Sequence, residues 1–366
     1  MKIEAAVVRQ PGGPFLRERL ALDTPREDEV LVRIVATGLC HSDIIAMHCH
    51  FPPPPPVVLG HEGAGVVERV GAAVTHLIPG DHVVLSFNSR GACPACAEDH
   101  PAYCQEFFPR NLHGRRVDGS PTLHSADGPV GGAFFGQSSF ANFALANERN
   151  AVKVRKDAPL ELLGPLGCGI QTGFGAVVNV LKPRPGSSFA LFGCGGVGLA
   201  ALMGAKLLGC DPIIAIDKVA SRLELATRLG ATRVIDAGTE DAAAALAGLG
   251  GIDTVVEATG VPAVLAQAIQ STRTRGTCAV LGVPTPESTV TVNIMRSFSG
   301  RTVMGITEGD ADPHVFIPYM VDRFMAGELP LDLLVKFYTL DEINQAVAES
   351  SSGLAIKPIL LMPHAS

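Results

Sequence analysis

Along the first 150 residues, short apolar runs alternate with turn residues. Glu29–Ala36 is β-branched and apolar, and Gly63–Val70 and Asp81–Ser86 share that texture between glycines and prolines, so each predicts a strand. The run Pro52–Pro56 offers no backbone donors and predicts a loop. From about Pro165 the pattern changes. Ser188–Phe192, Ile213–Asp217, Val234–Asp236, Asp253–Ala258 and Thr277–Leu281 read as buried strands. Helical stretches lie between them, such as Val197–Leu208 and Ser221–Leu229, the latter closed by Gly230. Strands alternating with helices predict βαβ units around a parallel sheet. After about Thr302 the texture is mixed again and ends in a strand-like tail, Ala355–Leu361.

With 366 residues the chain is long for one core, which predicts two domains. Its formal charge of -7, and 16 Phe with 3 Tyr and no Trp, give neither a basic face nor a stacking platform, so no nucleic-acid partner is expected. The opening MKIEAAVVRQ lacks a basic end followed by an apolar run, so no signal peptide is predicted. No uninterrupted apolar stretch reaches the roughly 20 residues that cross a bilayer, and no membrane partner is expected. Nine cysteines, an odd number, favour thiols and metal ligands over disulfides. The expected location is the cytoplasm.

Two constellations carry chemistry. The apolar strand Phe189–Phe192 runs directly into Gly193-Cys194-Gly195-Gly196-Val197-Gly198, and Val197 opens an apolar helix. Here Gly193 permits a tight turn, Gly195 lets a pyrophosphate approach the backbone, and Gly198 lets helix and strand pack closely. The phosphates would sit at the helix N-terminus, where free N–H groups favour anions. Asp217 ends the next strand, 19 residues after Gly198, where its carboxylate would bind both ribose hydroxyls and repel a 2′-phosphate. NAD is therefore expected over NADP, with Arg222 placed to soften that preference.

The second constellation is dispersed. Gly38-Leu39-Cys40-His41-Ser42-Asp43, Gly60-His61-Glu62-Gly63-Ala64-Gly65 and Gly167-Cys168-Gly169 together offer two thiolates and one imidazole. Each alone reads as a buried thiol or a turn histidine. Together, beside a dinucleotide site, they predict a three-ligand zinc with one open position, as catalysis needs. Zinc there would bind an alcohol oxygen and lower its pKa, favouring hydride release.

Gly38–Asp43, Gly60–Gly65, Gly164–Gly175 and Gly193–Gly198 resemble the medium-chain zinc-dependent alcohol dehydrogenase family, for which the Cys₂His set is a known ligand arrangement. Two further segments, Phe134–Phe140 (FFGQSSF) and Phe337–Asn344 (FYTLDEIN), are similar to its aryl- or benzyl-alcohol branch. The resemblance implies an α/β fold: a GroES-like β-rich catalytic domain over 1–169, a Rossmann domain with a doubly wound parallel sheet over 170–303, and a return segment over 304–366 completing the first. It implies reversible, NAD-dependent oxidation of a primary alcohol to the aldehyde, the alcohol being aromatic. The alternatives are an aliphatic alcohol, a polyol, a formaldehyde–thiol adduct, or a non-catalytic nucleotide-binding relative. It also implies a homo-oligomer, a tetramer over a dimer.

Residue by residue, the resemblance has Cys40, His61 and Cys168 hold the catalytic zinc, with Glu62 visiting the metal during ligand exchange. Asp43 would orient His61, and Ser42 would take the alcohol proton. Thr172 would lie against the nicotinamide, with His41 and Lys357 on the pyrophosphate. Ile45 stands where some members end the proton path with a histidine, while His48 and His50 are near in sequence only. Candidates for the wall of an aromatic pocket are Phe51, Phe87, Phe135 and Phe140. The family's second, structural zinc uses four spaced cysteines, of which Cys93, Cys96 and Cys104 remain and Arg90 replaces the first. Arginine has no lone pair to give. Either Arg90 swings outward and Asp99, His100 or water completes the site, or the lobe is metal-free with Arg90 beside a thiolate. Loss or strong weakening of this zinc is the expectation.

Overall fold

The structure is a computed structural model and describes residues 1–49, 52–293, 295 and 298–363. His50 and Phe51 lie outside the described residues. The chain divides into two compact units, Met1–Cys168 with Asp312–Ser366, and Gly169–Ala311. The return segment thus starts at Asp312 rather than 304. Asp312 accepts from the His314 N–H, and Pro313 takes the first position of the helix Pro313–Met325, where a missing N–H costs nothing.

The first unit is built on two sheets. One has the order Val57–Val58, Lys2–Val8, Phe15–Leu22, Leu123–Ser125, Gly128–Val130. The other runs Ala151–Val154, His82–Leu85, Glu62–Val70, Glu29–Gly38, Lys357–Leu361, Val335–Thr339, with Phe143–Asn147 also paired to Glu29–Gly38. Glu29–Gly38 is central to this sheet and almost wholly buried, as its mostly apolar sequence, broken by Arg33, requires. Its antiparallel register sets Gly38 opposite Glu62.

The second unit is one six-stranded parallel sheet, ordered Arg233–Asp236, Ile213–Asp217, Phe189–Phe192, Ile252–Glu257, Thr272–Val280, Thr302–Gly305. The chain starts at the third strand, winds one way and then the other, which is the doubly wound arrangement. Phe189–Phe192 and Ile213–Asp217 are buried at every position, as strands covered on both faces must be. The strand expected from Thr277 begins at Thr272. Its early residues Arg273, Thr274 and Arg275 are exposed, and Arg275 has a φ of 59°, so the apolar pattern is missing there. Among the described residues no helix is long and apolar enough to cross a membrane.

Candidate active site

Ligand atoms of Cys40, His61, Glu62 and Cys168 lie within 4.8 Å of one another, all in the first unit. Cys40 follows the strand Glu29–Gly38, and His61 precedes the paired strand Glu62–Val70. Cys168 arrives on the short turn Gly164–Gly167, which passes so near the sheet that a Cβ on Gly164 would meet the Glu62 carbonyl at 2.1 Å. Ser86 Oγ donates to the Gly167 carbonyl at 2.7 Å and holds the turn down. Only glycine permits this approach.

Asp43 organises the cluster. Its fully buried carboxylate accepts from the Cys40 N–H at 2.9 Å, the Gly60 N–H at 3.0 Å and His61 Nδ1 at 2.8 Å. One side chain therefore caps the helix His41–Met47, ties it to the His61 turn and sets the histidine tautomer. That leaves His61 Nε2 buried and without a hydrogen-bond partner among the described residues. The Cys40 thiol is held well below its ordinary range, most strongly by Cys168; burial opposes this, while His61 and Lys357 add to it. Burial opposes charge on His61, yet the Asp43 carboxylate outweighs it and raises its proton affinity well above the usual value. A bare imidazole nitrogen beside the Cys168 sulfur and a Cys40 that favours the thiolate form is a fit for zinc.

Glu62 and Lys357 form a buried ion pair, with Nζ 2.8 and 3.0 Å from the two carboxylate oxygens. Burial raises the Glu62 carboxyl against the pull of Lys357; burial would lower the Lys357 ammonium, but Glu62 outweighs it. Lys357, expected on the pyrophosphate, has Glu62 as its counter-ion here, as a buried ammonium requires. His41 is exposed at the start of its helix, and Ser42 Oγ lies 3.9 Å from Cys40 Sγ. Ile45 is half-buried and His48 exposed.

All three described phenylalanine candidates are buried in the core. Phe87 packs on Phe107 with ring centroids 5.8 Å apart, and Phe140 on Phe15 at 5.6 Å. Only Phe135 reaches the cluster, stacked on the His61 ring at 4.5 Å. Two buried polar side chains were not foreseen: Gln137, which bridges the His61 carbonyl and the Gly63 N–H, and Asn150. The signals available were Gln137, inside the stretch FFGQSSF, and Asn150, directly before the apolar strand Ala151–Val154, since a buried amide demands partners.

In the second unit the loop from Gly193 to Gly198 has the expected construction. Gly193 has a φ of 96°, and a Cβ on Gly198 would meet the Gly193 carbonyl at 2.0 Å. A Cβ on Gly195 would meet nothing within 4 Å, and the helix Gly196–Leu207 opens there, with Val197 in its first turn. Asp217 accepts from the Cys194 N–H at 2.7 Å and the Val219 N–H at 3.0 Å, with Arg222 Nη1 at 3.9 Å. The carboxylate thus braces the loop, and each oxygen keeps acceptor capacity for a ribose hydroxyl. Thr172 is half-buried, with Oγ1 3.5 Å from Glu308 Oε2.

The cysteine lobe brings three sulfurs together: Cys93 is 3.4 Å from Cys96 and 3.9 Å from Cys104. Arg90 contributes only its N–H to Cys104 Sγ, at 3.2 Å, while its guanidinium turns outward to Glu106 at 3.1 Å. Neither Asp99 nor His100 joins the cluster. Cys93 is lowered to about 7, chiefly by the Gln105 backbone and then by Cys96. Three convergent thiols fit a soft cation incompletely, since a closed structural zinc takes four ligands.

Comparison with known proteins decides the family. Residues 26–156 match the alcohol dehydrogenase GroES-like domain, and residues 196–325 match the zinc-binding dehydrogenase domain. The chain belongs to the medium-chain zinc-dependent alcohol dehydrogenases. A geraniol dehydrogenase of Castellaniella defragrans is 48% identical over 363 residues, covering 98% of this chain and 97% of that one. Among solved structures, an alcohol dehydrogenase zinc-binding domain protein from Burkholderia ambifaria is 52% identical at a TM-score of 0.97, with 100% of both chains covered. A benzyl alcohol dehydrogenase from Acinetobacter calcoaceticus is 47% identical at a TM-score of 0.96, covering 99% of this chain and 100% of that one. The chain is accordingly an alcohol dehydrogenase, with the GroES-like and Rossmann-like domains of the family, and membership implies zinc.

Proposed function

We propose that this alcohol dehydrogenase oxidises a benzyl-type primary alcohol to its aldehyde and passes the hydride to NAD. The observation that carries the chemistry is His61 Nε2, buried without a partner beside Cys40 and Cys168. Zinc bound there supplies a Lewis acid that lowers the pKa of the alcohol, and NAD supplies the hydride acceptor. The chain does the rest. Cys40, His61 and Cys168 would hold the metal, Asp43 keeps Nδ1 protonated so that Nε2 is the donor atom, and Ser42 takes the alcohol proton as its own hydroxyl proton passes on towards the nicotinamide ribose. Glu62, paired with Lys357, keeps a carboxylate within reach of the metal ligands. Gly193 to Gly198 receive the pyrophosphate, and Asp217 the ribose. Thr172 lies against the nicotinamide, and His41 adds an N–H donor for the phosphates.

The benzyl alcohol relative supports the aromatic substrate. A second reading, an allylic alcohol, is favoured by the geraniol relative. Benzyl alcohol and geraniol both have a carbinol carbon next to an unsaturated one, which makes hydride loss easier than from ethanol. Rates with benzyl alcohol, geraniol and ethanol, each with NAD and NADP, test the proposal. It expects benzyl alcohol with NAD to give the highest kcat/KM; a preference for geraniol moves the assignment to the second reading, and a preference for ethanol rejects both.

The assembly we infer is a homotetramer. The edge strand Thr302–Gly305 is exposed at Val303, and Val292 and Phe298 are exposed just before it, which suits pairing with a second copy. Phe108, 68% exposed in the cysteine lobe, supports a second interface of the kind a tetramer needs. Nine cysteines, an odd number, support a reducing compartment such as the cytoplasm. Light scattering on the eluting protein tests the assembly, and a monomer refutes it.

A further inference from the structure

Phe135 is held in an unusual backbone state. Its φ of 49° and ψ of 35° put it in the left-handed region, and Gly136 and Ser138 follow with φ of 64° and 52°. A bulky residue keeps that conformation only where its surroundings impose it, and such residues gather at functional sites. Here the surroundings are buried hydrogen bonds. Asn150 Nδ2 donates to the carbonyls of Ser86, Phe135 and Gly136 at 3.2, 3.3 and 3.3 Å. Ser138 Oγ accepts from the Phe134 N–H at 2.9 Å and donates to the Val58 carbonyl at 2.6 Å. Gln137 donates to the His61 carbonyl at 2.9 Å and accepts from the Gly63 N–H at 3.0 Å. The turn is thus clamped to the same stretch of chain that carries His61.

The clamp delivers one ring to one place. The Phe135 ring lies over the His61 imidazole with centroids 4.5 Å apart and planes at 25°, while Phe134 meets the imidazole edge-on at 5.4 Å and 89°. Phe107 backs Phe135, edge-on at 6.2 Å. A residue that only filled core volume would have no use for a left-handed backbone. The bond from Nδ1 to Asp43 fixes one end of the imidazole but leaves the ring free to tilt about that bond. A flat face laid against it, with an edge set at right angles, removes that freedom.

We propose that Phe135 is a positioning residue that sets the plane of the His61 imidazole and so aims Nε2 at the point where the Cys40 and Cys168 sulfurs converge. The inference rests on the reading of Cys40, His61 and Cys168 as metal ligands. Its role is exerted through His61.

The test uses the full-length protein loaded with zinc, and with cobalt in its place. Phe135→Leu keeps apolar bulk and removes the flat face, and Phe135→Met does the same should the leucine variant fail to fold. Release of zinc to a chromogenic chelator is expected to quicken about 10-fold, the low end of the effect of losing a ligand-orienting partner, with Phe135→Tyr staying within about twofold of wild type. The visible ligand-field bands of the cobalt protein should shift in Leu and Met and stay in Tyr. NAD binding, carried mainly by Gly193–Gly198 and Asp217 of the other unit, should be unchanged, and circular dichroism of the full chain serves as the control for folding. A leucine or methionine variant that melts earlier yet releases zinc at the wild-type rate, with an unshifted cobalt spectrum, gives Phe135 a purely structural role and overturns the proposal. Wild-type protein that takes up no cobalt at these ligands overturns the metal-site reading and this inference with it.

Discussion

Substituting Asp43 by asparagine keeps the side-chain shape and removes the charge. The carboxylate accepts three bonds: two on Oδ1, from the Gly60 N–H and His61 Nδ1, and one on Oδ2, from the Cys40 N–H. An amide has one oxygen. If it faces Gly60 and His61, its NH₂ meets the Cys40 N–H, and that buried donor loses its acceptor at a cost of about 1–3 kcal/mol. The weaker, uncharged acceptor on Nδ1 also makes His61 a poorer ligand, and loss of such a partner lowers metal affinity about 10–100-fold. At roughly 1.4 kcal/mol per tenfold, that is about 1.4–2.8 kcal/mol of zinc binding. Both effects are measurable in one series. Urea unfolding of the metal-free protein reads the first, and zinc retained on dialysis against graded chelator reads the second. Asp43→Ala, which strands all three donors, should be worse on both counts. An asparagine variant that holds zinc as tightly as wild type and unfolds within about 0.5 kcal/mol of it would refute this reasoning.

Asp217→Asn should raise the Michaelis constant for NAD and admit NADP, because in the proposed reading the carboxylate would both bind the ribose hydroxyls and repel a 2′-phosphate. A wild type that already prefers NADP would show the assignment wrong. Ser42→Ala should slow alcohol oxidation by about 10²–10⁴ and change its pH profile, as expected for a lost acid–base group; an unchanged rate and profile removes Ser42 from the mechanism. Elemental analysis should find close to one zinc per chain, and Arg90→Cys should raise both that number and the melting temperature, since it restores the fourth thiolate. Two tightly held zincs in the wild type would mean that another ligand replaces the missing one.

The second unit was the more legible in the sequence. Strands buried on both faces leave continuous apolar runs, and Ile213–Asp217 matches its expected bounds to the residue. Thr272–Val280 hid its first half behind exposed arginines, and the helix Pro313–Met325 went unmarked although Asp312 and Pro313 carried its start signal. For the site, the residues of the metal cluster were readable as a set, but their supports were not. The partner of Lys357 is Glu62, 295 positions away, and nothing local to either announces it. The outward turn of Arg90 depends on Glu106, which lies two residues past Cys104 and was the available hint. The left-handed backbone of Phe135 leaves no mark beyond the glycine after it, so its stacking on His61 emerges only from the three-dimensional arrangement.

The most direct test is turnover of benzyl alcohol with NAD, followed by the absorbance of reduced nicotinamide, on protein as purified, after chelation and after zinc is restored. Steady formation of reduced nicotinamide with equimolar benzaldehyde, lost on chelation and regained with zinc, is the predicted result. Activity that survives complete removal of zinc, or no reduced nicotinamide from benzyl alcohol with zinc and NAD both supplied, would contradict it.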